Sequence, residues 1–183
     1  MEKINLSSYN NCWYNPGNRL KIILWYITNR LFLNTHVPYP LFLKLTILKL
    51  YGAKIGNNII LKPKVNIKYP WFLSIGNNVW IGEKVWIDNL AQVTIHSNVC
   101  ISQGAMLLCG NHNYKKTTFD LMLGEIVIEE GVWIGAQSVV CPGVTCKSHS
   151  ILTVGSIAAK DLDAYSIYQG NPAKKIKDRI IEE

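Results

Sequence analysis

The sequence predicts an all-β fold, a parallel β-helix of hexapeptide repeats with an N-terminal helical segment and a short C-terminal extension. Three observations predict it. A branched aliphatic residue recurs every six positions from Ile55 to Leu152, a smaller residue follows four places after it, and the register survives two-residue insertions and one long break. A strand has period two and a helix period 3.6, so neither alone yields a period of six. Short strands joined by tight turns, three to a closed coil, do yield it. Coils stacked at the sheet spacing of about 4.8 Å pair every backbone edge with a neighbour.

The elements follow in order. Residues 1–50 carry six basic side chains and one acidic, a net of +5, against 13 and 11 (net +2) in 51–183; the whole chain has net charge +7. Leu20, Ile23, Leu24, Ile27 and Leu31 recur at helical spacing, and a second apolar stretch, Leu41 to Leu50, follows Pro38 and Pro40. This largely helical segment, 1–50, supports two readings: a pair of helices packed on the domain, or an apolar and basic surface making peripheral contact with a membrane through residues 20–50. No run of 18 apolar residues is present, which argues against a simple transmembrane span, and the first residues have no basic-then-apolar leader pattern.

The solenoid domain is assigned to 51–168. Thirteen of fourteen hexads begin with Ile, Leu or Val, Cys146 being the exception, and eleven have Val, Ala or Ser in fifth place. Gly, Asn and Asp at positions two to four are expected to supply the turn conformations. Ile55, Ile75 and Ile95 are spaced by 20, one 18-residue coil plus two; the step from Ile95 to Ile128 is 33 and contains an inserted loop at 113–127. A loop that long in a compact domain is a functional candidate. The C-terminal extension is 169–183. The five cysteines, at 12, 100, 109, 141 and 146, form no C-x-x-C pair and suit a reducing, cytoplasmic setting. No Lys/Arg cluster interleaved with aromatics appears, which argues against nucleic acid as a partner.

The segments Tyr51-Gly-Ala-Lys-Ile-Gly56, Val85-Trp-Ile-Asp-Asn-Leu90, Cys100-Ile-Ser-Gln-Gly-Ala105, Gly110-Asn-His-Asn-Tyr114, Val132-Trp-Ile-Gly-Ala136 and Gly170-Asn-Pro-Ala-Lys174 together resemble the hexapeptide-repeat acyltransferases. The resemblance is closest to the colanic acid biosynthesis acetyltransferases, relatives of the galactoside, maltose and nodulation O-acetyltransferases. It implies that the β-helix is left-handed, against the usual crossover rule. It also implies a homotrimer with active sites at subunit interfaces, acetyl-CoA as acyl donor, a saccharide acceptor in surface-polysaccharide synthesis, and no metal.

The resemblance makes His112 the catalytic base, and the chemistry suits an imidazole: an alcohol needs a base near neutral pH to lose its proton as it attacks. The oxyanion so formed needs a fixed donor, assigned by resemblance to the backbone N–H of Ala136. Asp88, Asn89, Asn111 and Tyr114 are candidate acceptor contacts, with an Asp88–Asn89 turn satisfying itself as the alternative. Lys115 and Lys116 are candidate phosphate contacts or solvated loop lysines. The donor positions implied are Gly135, Ala136, Val154, Gly155, Ala159, Lys160, Lys174 and Lys177, with Trp133 as packing or groove wall. The competing readings are N-acetylation of an amino-sugar nucleotide, O-acetylation of serine, a metal-dependent hydratase drawing on His36, His96, His112 and His149, and a non-enzymatic solenoid.

Overall fold

The computed structural model describes residues 2–182, and its chain winds from Lys54 as a three-sided parallel β-helix of about six turns. The first face stacks Lys54–Ile55, Leu73–Ile75, Val93–Ile95, Ile126–Ile128 and Thr145–Cys146. The second stacks Ile60–Leu61, Trp80–Ile81, Cys100–Ile101, Trp133–Ile134, Ile151–Leu152 and Ser166–Gly170. The third stacks Asn66–Ile67, Trp86–Asp88, Met106–Leu108, Val139–Val140 and Ile157–Ala158.

The first residues of the hexads lie directly over one another. Ile75, Ile95, Ile128 and Cys146 form one column, Leu61, Ile81, Ile101, Ile134 and Leu152 a second, and Ile67, Ile87, Leu107, Val140 and Ala158 a third. These side chains fill the prism, and the fifth-place residues Val65, Val79, Val85, Val99, Ala105, Val132, Ser138, Val144, Ser150 and Ser156 are buried beside them. Cys146 replaces an aliphatic without loss because a free thiol packs as a small hydrophobe; it is buried, and burial pushes its pKa up.

The turns divide their labour more sharply than expected. Only hexad position four takes a left-handed conformation, and there Asn58, Asn78 and Asn98 are joined by Lys64, Lys84, Gln137 and His149 as well as by Gly104, Gly131, Gly143 and Gly155. Asparagine tolerates that region and can hydrogen-bond locally; here the amides also form a ladder up the corner, Asn58 to Asn78 and Asn78 to Asn98 at 3.1 Å each, then Asn98 to Glu130 at 2.8 Å. Position two is a matter of coil spacing. A Cβ on Gly76 would lie 2.7 Å from Ser97 N, and one on Gly135 would lie 2.6 Å from Val154 N.

The N-terminal segment is pinned by asparagines whose side chains accept backbone N–H groups two residues on, at Asn5, Asn10, Asn15 and Asn18. Asn18 also caps helix α1 (Arg19–Thr28), which continues as a wider helical turn to Leu33; helix α2 spans Leu41–Leu50. α1 lies on the third face, with Trp25 Nε1 donating to Ile67 O at 2.9 Å and Asn29 Nδ2 to Asn66 Oδ1 at 2.8 Å. α2 covers the start of the solenoid, where Lys44 Nζ donates to Leu61 O at 2.6 Å; burial lowers the Lys44 pKa, and the charge of Lys62 adds to this. The buried residues of α1 and the turn that follows it are thus Trp25, Asn29 and Leu33. The apolar stripe read from the sequence, Leu20, Ile23, Leu24, Ile27 and Leu31, faces outward with exposures of 48–65%. No helix among the described residues is long and apolar enough to cross a membrane.

The break in the repeat is a β-hairpin. Gly110–His112 pairs antiparallel with Leu121–Leu123, so only 113–120 is turn, and Ile126 already belongs to the first face. At the other end, Ser166–Gly170 runs across the 168/169 boundary and pairs with Ala173–Asp178, extending the second face by an antiparallel strand.

Candidate active site

His112 ends the first strand of the hairpin, where the chain leaves the prism at the corner between the third and first faces. Its Nδ1 lies 2.9 Å from Phe119 O, and its ring stacks on that of Phe119 at 4.5 Å and 6°. A carbonyl only accepts, so Nδ1 carries the proton in the neutral ring and Nε2 is left as the basic nitrogen. This is the orienting group that the sequence left unnamed. Phe119 adopts φ +51°, turning its carbonyl back towards the imidazole. Asn111 accepts the His112 backbone N–H through Oδ1 at 2.8 Å.

The cleft in front of His112 holds about 310 Å3 and is walled by Tyr9, Asn11, Tyr14, Lys68, Tyr69 and Leu90 among others. The N-terminal segment therefore builds half of it, a contribution missed in the sequence because residues 5–16 have no periodicity. The segment is tied down by Asn5 N to Thr117 O at 2.8 Å, Tyr14 Oη to Leu90 O at 2.7 Å and Trp71 Nε1 to Pro16 O at 2.8 Å. Tyr9 sits 5.7 Å from the imidazole, centroid to centroid. Burial pushes the Tyr14 phenol up, so it remains a neutral donor.

The expected acceptor residues separate. Asn89 is wholly buried; Tyr69 N donates to its Oδ1 at 3.0 Å and its Nδ2 donates to Tyr69 O, so the amide is spent on the fold and offers nothing to a ligand. Asp88 faces the neighbouring cleft under α1, paired with Lys68 at 2.9 Å. Tyr114 is 73% exposed on the hairpin turn. Lys116 is paired with Asp120 at 2.8 Å, and Lys115 is exposed.

The expected donor residues gather on the second face. Gly135, Ala136 and Val154 line one groove of about 300 Å3 with Ser102, Gln103 and Trp133. Trp133 is a wall of this groove, half exposed, with Nε1 donating to Ser102 Oγ at 2.9 Å. Gly155, Ala159 and Lys160 are exposed on the same late coils, and Lys174 and Lys177 lie on the strand added to that sheet. The His112 cleft and the Ala136 groove share no wall residue. His36 and His96 are exposed, His149 stacks on Tyr165 at 4.7 Å, and no three His, Cys, Asp or Glu side chains converge among the described residues.

No protein-family model matches the chain. It is 32% identical over 170 residues to WcaF of Escherichia coli K12, designated a colanic acid biosynthesis acetyltransferase, covering 93% of each chain. It is 29% identical over 136 residues to the galactoside O-acetyltransferase of Escherichia coli K12, covering 73% of this chain and 67% of that one. A solved galactoside acetyltransferase in complex with coenzyme A superposes with a TM-score of 0.78 at 26% identity, over 87% of this chain and 80% of that one. A hexapeptide-repeat acetyltransferase from Vibrio cholerae has the same fold, with a TM-score of 0.78 at 21% identity over 88% and 94% of the two chains.

Proposed function

This chain belongs to the hexapeptide-repeat acetyltransferases and takes its acetyl group from acetyl-CoA, and on that premise we propose that it acetylates a hydroxyl of a saccharide in surface-polysaccharide synthesis. The observation that carries the reading is the Nδ1 contact of His112 with Phe119 O, which leaves Nε2 free as a base in the cleft. The acceptor oxygen attacks the thioester carbon while Nε2 takes its proton. The oxyanion is held by the Ala136 N–H, and its collapse expels the thiolate of CoA, which recovers the proton from the imidazolium. The acceptor is bounded by Tyr9, Tyr14, Asn111 and the hairpin. The donor arm runs along the Gly135–Val154 groove, with Lys174 and Lys177 towards its phosphates.

The separate corners of His112 and Ala136 support a homotrimer, in which one protomer's imidazole meets another's groove. The second face supports it too. Its outward column of Ile60, Trp80, Cys100 and Trp133 is apolar, with Trp80 57% exposed. Rings arise from such heterologous contacts when the rotation closes. We place the enzyme in the cytoplasm, where five free cysteines suit the redox state, and against the membrane through Leu20, Ile23, Leu24, Ile27, Leu31 and Phe42, flanked by Arg19, Lys21 and Arg30.

Thiol release from acetyl-CoA with saccharide, amino-sugar nucleotide and serine acceptors tests the activity; turnover confined to the last two overturns the saccharide reading. Sedimentation of the purified protein as a monomer overturns the shared site. Failure to bind liposomes, anionic or neutral, overturns the membrane contact.

A further inference from the structure

The turn that sets the tautomer of His112 is anchored from outside the hairpin. Residues 113–120 include no buried side chain, and their backbone bonds are mostly to one another: Asn113 N to Asp120 O at 2.8 Å, Lys116 N to Asn113 O at 3.1 Å and Phe119 N to Lys116 O at 3.0 Å. The carbonyl facing Nδ1 belongs to Phe119, whose φ of +51° is unfavourable for a bulky side chain and persists only where the surroundings impose it. The stack of Phe119 on His112 joins two parts of one hairpin and fixes neither to the prism.

Among the described residues, one hydrogen bond ties this turn to the chain outside the hairpin. Asn5 N donates to Thr117 O at 2.8 Å, two residues before Phe119. Asn5 is the tip of a strap rooted in the prism by Tyr14 Oη on Leu90 O and by Trp71 Nε1 on Pro16 O. Between root and tip run local turns: Tyr14 N to Asn11 O at 2.9 Å, Cys12 N to Asn10 Oδ1 at 2.8 Å, Tyr9 N to Leu6 O at 3.1 Å and Ser7 N to Asn5 Oδ1 at 3.1 Å. These bonds fix the strap's length, so the root places the tip. Tyr9, midway along, meets the imidazole itself at 5.7 Å. No residue from 2 to 16 is buried, so the strap adds little to the core.

The geometry points to Asn5 as a positioning residue for the base. Its backbone N–H holds the hairpin turn in place, which keeps the strained Phe119 carbonyl aimed at Nδ1 and so leaves Nε2 unprotonated towards the acceptor. This rests on His112 being the base in the reading above.

The test compares Asn5→Pro with Asn5→Asp. Proline has no N–H, and its φ near −65° departs from the −128° of Asn5, so the tip is released; aspartate keeps both the N–H and the acceptor for Ser7 N. A hydrogen bond of this kind shifts an equilibrium by about threefold to tenfold. In Asn5→Pro, kcat for thiol release is expected to fall at least threefold, with the KM for acetyl-CoA within twofold and the melting temperature unchanged, and Asn5→Asp restores kcat. A smaller fall, an equal fall in Asn5→Asp, or a raised KM for acetyl-CoA overturns the assignment. The second measurement needs no acceptor: 15N NMR of histidine-labelled protein at about pH 8.5, with the His112 signals identified by their loss in His112→Gln. The proton is expected on Nδ1 in the wild type and to move towards Nε2, the site favoured in free histidine, in Asn5→Pro; an unchanged tautomer overturns the assignment. If no saccharide is acetylated, the function proposed above fails by itself and the tautomer alone decides the role of Asn5.

Discussion

Replacing His112 by Gln separates the chemistry of the site from its architecture. Glutamine can still donate to Phe119 O from a side-chain amide, but it has no basic nitrogen to take the acceptor's proton. General-base catalysis contributes about 10²–10⁴-fold, so kcat should fall by that factor, equivalent to about 3–5 kcal/mol of barrier. The stability cost is smaller. The variant forfeits the ring stack on Phe119 at 4.5 Å, worth about 0.5–1.5 kcal/mol, and part of a hydrogen bond worth about 1 kcal/mol. Both contacts lie within the Gly110–Leu123 hairpin, outside the stacked coils, so the loss loosens that hairpin and leaves the solenoid's melting transition within a few degrees. The KM for acetyl-CoA should stay within about twofold, because the donor arm is held along the groove of Gly135, Ala136 and Val154 while the imidazole acts on the acceptor's proton. Steady-state thiol release at saturating acetyl-CoA, together with a thermal melt, reads all three quantities. Activity within fivefold of the wild type, or a defect in KM alone, would remove His112 from the role of base.

Two glycines on the same sheet should behave differently. Gly135→Ala places a Cβ 2.6 Å from Val154 N, so the coils must part, and a loss of about 3 kcal/mol is expected, at the upper end of overpacked cores. Gly155→Ala meets nothing within 4 Å and costs only the left-handed strain at φ +66°, about 1–2 kcal/mol; equal melting temperatures would refute the stacking argument. Alkaline pH should destabilise the fold. Burial pushes the Cys109 thiol up to about 11 and raises the Cys146 thiol as well, so between pH 9 and 11 the unfolded chain sheds protons that the folded one retains. Stability is complete below about pH 9 and declines through that window, and urea midpoints at pH 8.5 and 10.5 check it; the amount by which Cys109→Ala flattens the profile is that residue's share, the remainder staying with Cys146.

The repeat was legible because its causes are local and recur. Each of Leu61, Ile81, Ile101 and Ile134 meets the same corner of the same prism, so one environment selects one residue type every coil. The turn chemistry was less legible. Asn58 and Asn78 announce a left-handed residue, whereas Lys64, Lys84 and His149 do not, and there the stack of neighbouring coils imposes the conformation. The N-terminal helices were legible as helices but not in their orientation. The stripe from Leu20 to Leu31 has the spacing of a buried face, yet the contacts of Trp25 with Ile67 and of Asn29 with Asn66, some 40 residues away, turn it outward.

The sequence by itself determined the solenoid, its coil register, the place where the repeat breaks and the imidazole at that break, because each depends on residues within a coil or its immediate neighbours. Only the tertiary structure decided what surrounds that imidazole. The Phe119 carbonyl belongs to the backbone and has no residue signature, Tyr9 and Tyr14 arrive from the far end of the chain, and Asn89 is withdrawn from the site by bonds to Tyr69 one coil away. Such contacts join parts of the chain brought together by the stacking of coils and not by their order, and so they become visible only when the prism is assembled.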